Sequence, residues 1–396
     1  MVNAVTGQNL ALVSDVKGTT TDPVYKAMEL LPLGPVVIID TPGFDDEGEL
    51  GELRVNRAKR VLNKTDAAVL VLDGEYIDSP LPAEEELVAL LKEKNIPFTI
   101  VINKFDKVRN KPQSYTEEEK ELKTITPCPP WLDKEIIPVS AKTGFNINLL
   151  KEKIAVIAAG EDPKHRLVGD LIKPGDFIIL VIPIDKAAPK GRLILPQQQM
   201  IRDILDTGAS AICVRESELQ QTFEDIGKKP ALVITDSKVF AQVAAITPNE
   251  IPLTSFSILF TRFKGFLETA VSGASALDNL KDGDRILIGE GCTHHRQCDD
   301  IGSVKIPRLV RNHSSKEPEF VFCSGGDFPS ELLPYKLIIH CGSCMLNERE
   351  VHHRREIAEN QKIPFTNYGI AIAHMQGILK RSVEIFAGSW CTGTTD

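Results

Sequence analysis

Short apolar runs, each closing in a polar or glycine-bearing loop, recur along this chain and set its architecture. Residues 36–40, 98–102 and 136–139, then 177–184, 210–214, 231–235 and 253–260, and finally 285–288, 320–323, 337–340 and 363–366 have strand length and strand composition. Between many of them the apolar positions fall at helical spacing, as over 197–205, 216–226, 238–245 and 370–381. Strand and helix in alternation predict an α/β fold with mainly parallel sheets. A joint rich in Pro, Gly and charge, Gly160-Glu161-Asp162-Pro163 through Lys173-Pro174-Gly175, separates the first group of runs from the second. Three α/β domains are expected, over 1–160, 174–278 and 280–386, followed by a Gly/Ser/Thr tail over 387–396. The run Thr254-Ser255-Phe256-Ser257-Ile258-Leu259-Phe260 alternates like a strand, and is expected either inside a sheet or as an edge offered to a second copy.

Composition narrows the setting. With 396 residues, 42% hydrophobic and 26% charged, the chain reads as an ordinary globular protein of two or three domains. Neither an apolar run long enough to span a bilayer nor a basic, then apolar, leader is found, so no membrane segment is expected and a cytoplasmic location is. The net charge of −9 disfavours bulk binding of nucleic acid. In a reducing compartment, the 8 cysteines point to metal chemistry in preference to disulfides.

That chemistry concentrates in two segments. Cys292-Thr293-His294-His295 follows the run at 286–288, and His340-Cys341-Gly342-Ser343-Cys344 follows the run at 337–339. Neighbouring strands of a parallel sheet would bring both loops to one edge, where three thiolates and up to three imidazoles suit zinc or an iron–sulfur cluster. The plainer alternative is a set of reduced, partly buried thiols beside solvated histidines. Cys128, Cys213, Cys298, Cys323 and Cys391 lack ligand spacing and read as packing thiols.

In the first region the loops after three strands carry Asp40-Thr41-Pro42-Gly43, Asn103-Lys104-Phe105-Asp106 and Ser140-Ala141-Lys142. Nucleotide sites lie at such carboxyl ends. Asp40 can hold Mg²⁺ through water while the Gly43 amide meets a γ-phosphate; Asp106 can accept from guanine N–H groups, and the Ser140–Ala141 backbone can meet the guanine oxygen. In this order the segments resemble the G3, G4 and G5 motifs of translation-factor-type GTPases. Gly18-Thr19-Thr20-Thr21-Asp22-Pro23 resembles the switch segment of the tRNA-modification and ribosome-assembly branch. That resemblance implies GTP with Mg²⁺ as cofactor and Thr20 as a Mg²⁺ ligand. No Gly-x-x-x-x-Gly-Lys-Ser/Thr occurs, and Asn3-Ala4-Val5-Thr6-Gly7 resembles the residues that follow such a loop. The P-loop GTPase-like domain is thus expected to lack its first strand and phosphate loop, and the chain as it stands to hydrolyse GTP only at background rate.

Across nearly its whole length the sequence resembles the GTPase scaffold family of [FeFe]-hydrogenase maturation. The resemblance rests on Gly169-Asp170-Leu171-Ile172, on Pro183-Ile184-Asp185-Lys186-Ala187-Ala188-Pro189-Lys190-Gly191-Arg192-Leu193-Ile194, on Glu290-Gly291-Cys292-Thr293-His294 and on Asp300-Ile301-Gly302-Ser303-Val304-Lys305-Ile306-Pro307-Arg308. His340-Cys341-Gly342-Ser343-Cys344 and Thr366-Asn367-Tyr368-Gly369 complete it. It implies a dimerisation domain in the middle, hence a homodimer, and a C-terminal domain binding a [4Fe–4S] cluster. Cys292, Cys341 and Cys344 would be iron ligands, with His294 beside them; His295, Asp300 and His340 are further groups open for the remaining iron. It also implies a diiron precursor as cargo, apo-[FeFe]-hydrogenase and radical-SAM maturases as partners, and no part for nucleic acid or membrane. The competing reading is a GTPase of the tRNA-modification or ribosome-assembly type with a structural zinc site. The acidic balance and the lack of an RNA-binding signature weigh against it.

Overall fold

The computed structural model describes residues 1–8, 23–31, 33–41, 60–75, 82–107, 136–159, 166–184, 193–291, 300–343 and 346–386. It divides into two compact units, Met1–Asp162 and Pro163–Asp396.

In the first unit, β1 (Val24–Leu30) and β2 (Gly34–Asp40) form an antiparallel hairpin. The sequence reading set β2 in a βα series and missed β1, whose half-exposed alternation hides it; Gly34, at φ 87°, makes the reversal possible. β3 (Ala68–Asp73), β4 (Phe98–Asn103) and β5 (Ile136–Pro138) form a parallel sheet with β4 central. Being covered on both faces, β4 is apolar almost throughout. Ile100 and Ile102 share one core cluster with Val88 and Leu91 of helix Pro82–Glu93, whereas Val101 shares another with Ile147 and Leu150 of helix Ile147–Ala159. Asn103 and the residues after β5 therefore emerge at one sheet edge.

The second unit holds two four-stranded parallel sheets with the same topology. β6 (Phe177–Val181), β7 (Ser210–Val214), β8 (Leu232–Thr235) and β9 (Leu253–Ser255) are ordered 7-6-8-9. β10 (Arg285–Glu290), β11 (Glu319–Ser324), β12 (Leu337–His340) and β13 (Phe365–Asn367) are ordered 11-10-12-13. In each sheet the fourth strand runs straight into a helix through a polar N-cap: Ser255 Oγ accepts from Ile258 N, and Asn367 Oδ1 from Ile370 N at 2.8 Å. This corrects the long strand expected over 253–260. The chain turns helical at Phe256, and Phe256, Ile258, Leu259 and Phe260 are all buried in helix Phe256–Phe263, so the segment is not a free edge. The helix expected over 370–381 likewise divides, into Tyr368–Met375 and Leu379–Val383, at Gly377 with φ 74°.

The second helix after each fourth strand packs on the other sheet. Helix Leu267–Ala274 packs on β13, where Thr366 Oγ1 donates to Ala270 O at 2.7 Å; helix Leu379–Val383 packs on β9, and its Arg381 donates to Ala244 O and Thr247 O at the end of helix Phe240–Ile246. Side chains from both sheets consequently fill one core that includes Ile179, Ile234, Phe260, Ile338 and Phe365. At about 1.5–3 kcal/mol for each large apolar side chain removed from water, this shared interior binds the sheets into one unit. The strands divide where the sequence reading divides them; the core does not.

Candidate functional site

Two loop clusters at strand ends carry the chemistry. In the first unit, Asn103 ends β4, Lys104 follows with φ 60°, and Asp106 lies in the turn Phe105–Lys107. Asn103 Oδ1 accepts from Ala141 N at 3.0 Å, and the buried Ser140 Oγ donates to Asp106 Oδ1 at 2.6 Å while accepting from Thr143 N at 3.2 Å. The Ser140 hydroxyl is the main reason the Asp106 carboxyl is held below the usual carboxylate range. The arrangement joins both loops into one rigid edge with an exposed carboxylate at its rim. Phe105 and Phe145 stack beside it, with ring centres 6.0 Å apart.

Sequence reasoning missed what fixes Lys104. Its Nζ donates to Asp73 Oδ2 at 2.7 Å and to Glu75 Oε2 at 3.0 Å, and these two bonds raise the ammonium pKa, that to Asp73 most. An acid ending the apolar run at 68–73 was the available signal. Asp40 ends β2; Lys142 is exposed in the loop after β5; Thr20 and Gly43 lie outside the described residues.

In the second unit, β10 and β12 are adjacent and parallel, with Gly289 opposite His340. Cys341 N donates to Gly289 O at 2.8 Å, which sets the loop after β12 against the one leaving β10. The Cys341 sulfur accepts two backbone N–H groups, from Gly291 at 3.1 Å and Ser343 at 3.4 Å. Such donors favour thiolate and tune sulfur bound to metal. Cys292, next in chain to Gly291, lies outside the described residues, as do His294, His295 and Cys344. Asp300 is described: its Oδ2 accepts from Ser303 N and Oγ, both at 2.8 Å, capping the helical turn Ile301–Lys305.

His340 is fully buried with both ring nitrogens engaged. Nε2 lies 3.0 Å from Arg354 Nη1, which can only donate, so Nε2 accepts and the proton sits on Nδ1, 3.0 Å from Cys341 O and from Ser343 Oγ. Burial first, and the Arg354 charge next, push the imidazole down to about 3, keeping it neutral. Arg354, 1% exposed, also pairs with Glu350 at 2.8 Å, donates to Gly325 O and covers the Phe328 ring. Lys264 Nζ, also buried, donates to Ser343 O and Leu346 O, clasping the loop whose Ser343 has φ 57°. Tyr368 donates to the buried Glu290 at 3.3 Å; burial first, then the Glu290 charge, raise its phenol pKa. Gly302 packs so closely here that a Cβ would fall 2.3 Å from the Tyr368 hydroxyl. Cys323, by contrast, is pushed up to about 11, chiefly by burial, and stays a protonated thiol. The buried Lys264, Glu290 and Arg354 had no signal in the hydrophobic pattern, which treats charges as surface.

The comparisons with known proteins divide the chain in the same order. Residues 1–104 match the profile described as 50S ribosome-binding GTPase, residues 167–265 the Hydrogen maturase F dimerization domain, and residues 268–385 the Hydrogen maturase F tetramerization domain. Among curated proteins, GTPase Der of Wolinella succinogenes is 33% identical over 161 residues, 39% of this chain and 32% of that protein. GTPase Era of Heliobacterium modesticaldum is 28% identical over 185 residues, 44% of this chain and 58% of that protein. The tRNA modification GTPase MnmE of the same organism is 32% identical over 163 residues, 41% of this chain and 30% of that protein. The chain thus spans less than two thirds of the length of each of these relatives.

Proposed function

Since the chain belongs to the hydrogen maturase F family, with a GTPase domain ahead of dimerization and tetramerization domains, we propose that it is an oligomeric scaffold that holds a [4Fe–4S] cluster and carries a diiron precursor to apo-[FeFe]-hydrogenase. The observation that carries this reading is the Cys341 sulfur, which accepts two backbone N–H groups at the meeting point of the loops after β10 and β12. That environment fits an iron–sulfur ligand: a soft sulfur donor, the two N–H groups directed at it and a second ligand-bearing loop beginning beside it. Cys292, Cys341 and Cys344 hold the cluster; His294 stands at the remaining iron, with His295 and Asp300 as alternatives. When bound, the cluster supplies an iron not saturated by thiolate. His340 acts by position: with both nitrogens committed, it fixes the Cys341 carbonyl and Ser343. Radical-SAM maturases are the proposed source of the diiron cargo.

In the GTPase domain, Asp106 and Asn103 read guanine, Ser140, Ala141 and Lys142 line the base, and Thr20, Asp40 and Gly43 serve Mg²⁺ and the γ-phosphate. Lys104 lies along the base, held by Asp73. Serine replacement of Cys292, Cys341 and Cys344 in turn tests the cluster assignment. Iron content and the EPR signal after anaerobic reconstitution should fall in each, and hold in Cys213→Ser; equal iron in all four would contradict it. The match of residues 1–104 to a 50S ribosome-binding GTPase profile favours one second reading, a ribosome-assembly factor with structural zinc at the same thiols. Zinc in place of iron in the anaerobically purified protein would select it.

A further inference from the structure

Three metal-type ligands converge at the other end of the C-terminal sheet. Asp278 lies in the 3₁₀ turn Ser275–Asn279, upstream of β10; His313 and His374 lie in the last turns of helices Ile306–Ser314 and Tyr368–Met375. The second of these helices starts at the carboxyl end of β13, and the first leads back toward the start of β11. Both therefore finish at the amino edge of the sheet, opposite the thiol loops. Asp278 Oδ1 is 2.7 Å from His313 Nε2, and both Asp278 oxygens are 3.0 Å from His374 Nε2. One donor atom from each residue falls within 4.8 Å of the others, and the two rings meet edge to face at 5.6 Å.

The packing behind the cluster holds it in place. Leu277, beside Asp278, Val310, one turn before His313, and Ala371 and Ala373, in the turn that precedes His374 on its own helix, are all fully buried. The side chains themselves remain accessible, 49% for Asp278, 24% for His313 and 21% for His374, so water or another ligand can reach the same point. Both helices turn their partially negative carboxyl ends toward this place, which favours a cation there. Two imidazole nitrogens and one carboxylate oxygen form the donor set of open zinc sites and of non-haem ferrous sites. Mg²⁺ and Ca²⁺ prefer all-oxygen sites and do not suit it.

We propose that Asp278, His313 and His374 bind a divalent transition cation of the Zn²⁺ class, through both Nε2 atoms and the Asp278 carboxylate, with solvent in the open positions. On binding, each ring moves its proton, through solvent, from Nε2, where it is now donated to Asp278, to Nδ1, so that the Nε2 lone pair is free for the cation. Tetrahedral bonds of about 2.0–2.1 Å would set the oxygen and nitrogen atoms roughly 3.3–3.4 Å apart, so that the separations, now 2.7 and 3.0 Å, must widen by less than about 1 Å. The site is independent of the proposed cluster.

Co²⁺ is the probe, because its spectrum tells nitrogen and oxygen ligands from thiolate. Full-length protein and a His313→Ala/His374→Ala variant are titrated with Co²⁺ anaerobically. The unaltered protein should take up one more equivalent per chain, with weak visible d–d bands and no added thiolate-to-cobalt charge transfer. The same difference should persist in a Cys341→Ser background. Outer-shell changes alone weaken metal sites by about 10–100-fold, so losing direct ligands should cost at least about 100-fold in affinity. Asp278→Asn keeps the side-chain shape but removes the charge, and should weaken binding even if the double variant fails to fold. Equal stoichiometry and affinity in the unaltered protein and Asp278→Asn would overturn the proposal and leave a hydrogen-bonded Asp–His–His cluster.

Discussion

Replacing Arg354 with methionine tests how the thiol loop is held. The guanidinium is 1% exposed and joins three elements: Glu350 on its own helix, His340 at the end of β12, and Gly325 after β11. Methionine fills the space of the aliphatic stem, so the cavity contribution stays small and the loss is electrostatic. Glu350, 13% exposed at its side chain, is left as a buried carboxylate without its cation, at a cost of about 3–5 kcal/mol. His340 Nε2 is left without a donor, adding about 1–3 kcal/mol. Arg354→Met should therefore destabilise the region by about 4 kcal/mol or more. The double change Arg354→Met with Glu350→Met removes both charges and should recover the part due to the unpaired carboxylate, leaving the contributions of His340 Nε2 and Gly325 O, which still lack their donor. Hydrogen exchange read by mass spectrometry on peptides covering β12, corrected for intrinsic rates, measures the local opening free energy in each protein. A single variant within about 1 kcal/mol of the unaltered protein, or a double variant less stable than the single, would refute the reasoning.

Lys264→Met leaves Ser343 O and Leu346 O without their donor; it should lower iron retention after reconstitution and speed exchange in the loop after β12, and unchanged retention would remove Lys264 from this role. Cys323, pushed up to about 11 from 9.0, should have roughly 100-fold less thiolate than an unperturbed thiol at the same pH and react correspondingly slowly with iodoacetamide, read by peptide mass spectrometry. Alkylation at the rate seen after urea unfolding would show that it is not shielded. Ser140→Ala removes the hydroxyl that holds the Asp106 carboxyl down, so an NMR titration should show the Asp106 pKa rising toward its ordinary value; no change would assign the shift to another group.

The α/β class and most strands were legible because buried parallel strands are continuous apolar runs, and β6, β8 and β12 are buried at every position. Residues 253–260 misled for the same reason: a helix buried on nearly all sides is as apolar as a strand, and only the capping hydroxyl of Ser255 marks the change. The exchange of helices between the two sheets left no trace, since it depends on which face each helix covers and not on its period. At the sites, polar residues ending apolar runs disclosed Asn103, Asp106, Ser140, His340 and Cys341. Their supports stayed hidden. Asp73 fixes Lys104 from a neighbouring strand, Arg354 reaches His340 from a helix that reads as solvated, and Lys264 reaches Ser343 across 79 positions of sequence. Pairings of that kind exist only once the chain is folded.

The most direct test of the cluster assignment is a crystal structure of the anaerobically reconstituted protein with anomalous maps collected on both sides of the iron and zinc absorption edges. The account predicts iron density bonded to the Cys341 sulfur at the carboxyl ends of β10 and β12, with Cys292 and Cys344 as the other thiolate ligands. Iron bound elsewhere with the Cys341 sulfur free, or zinc alone at that position, would contradict it.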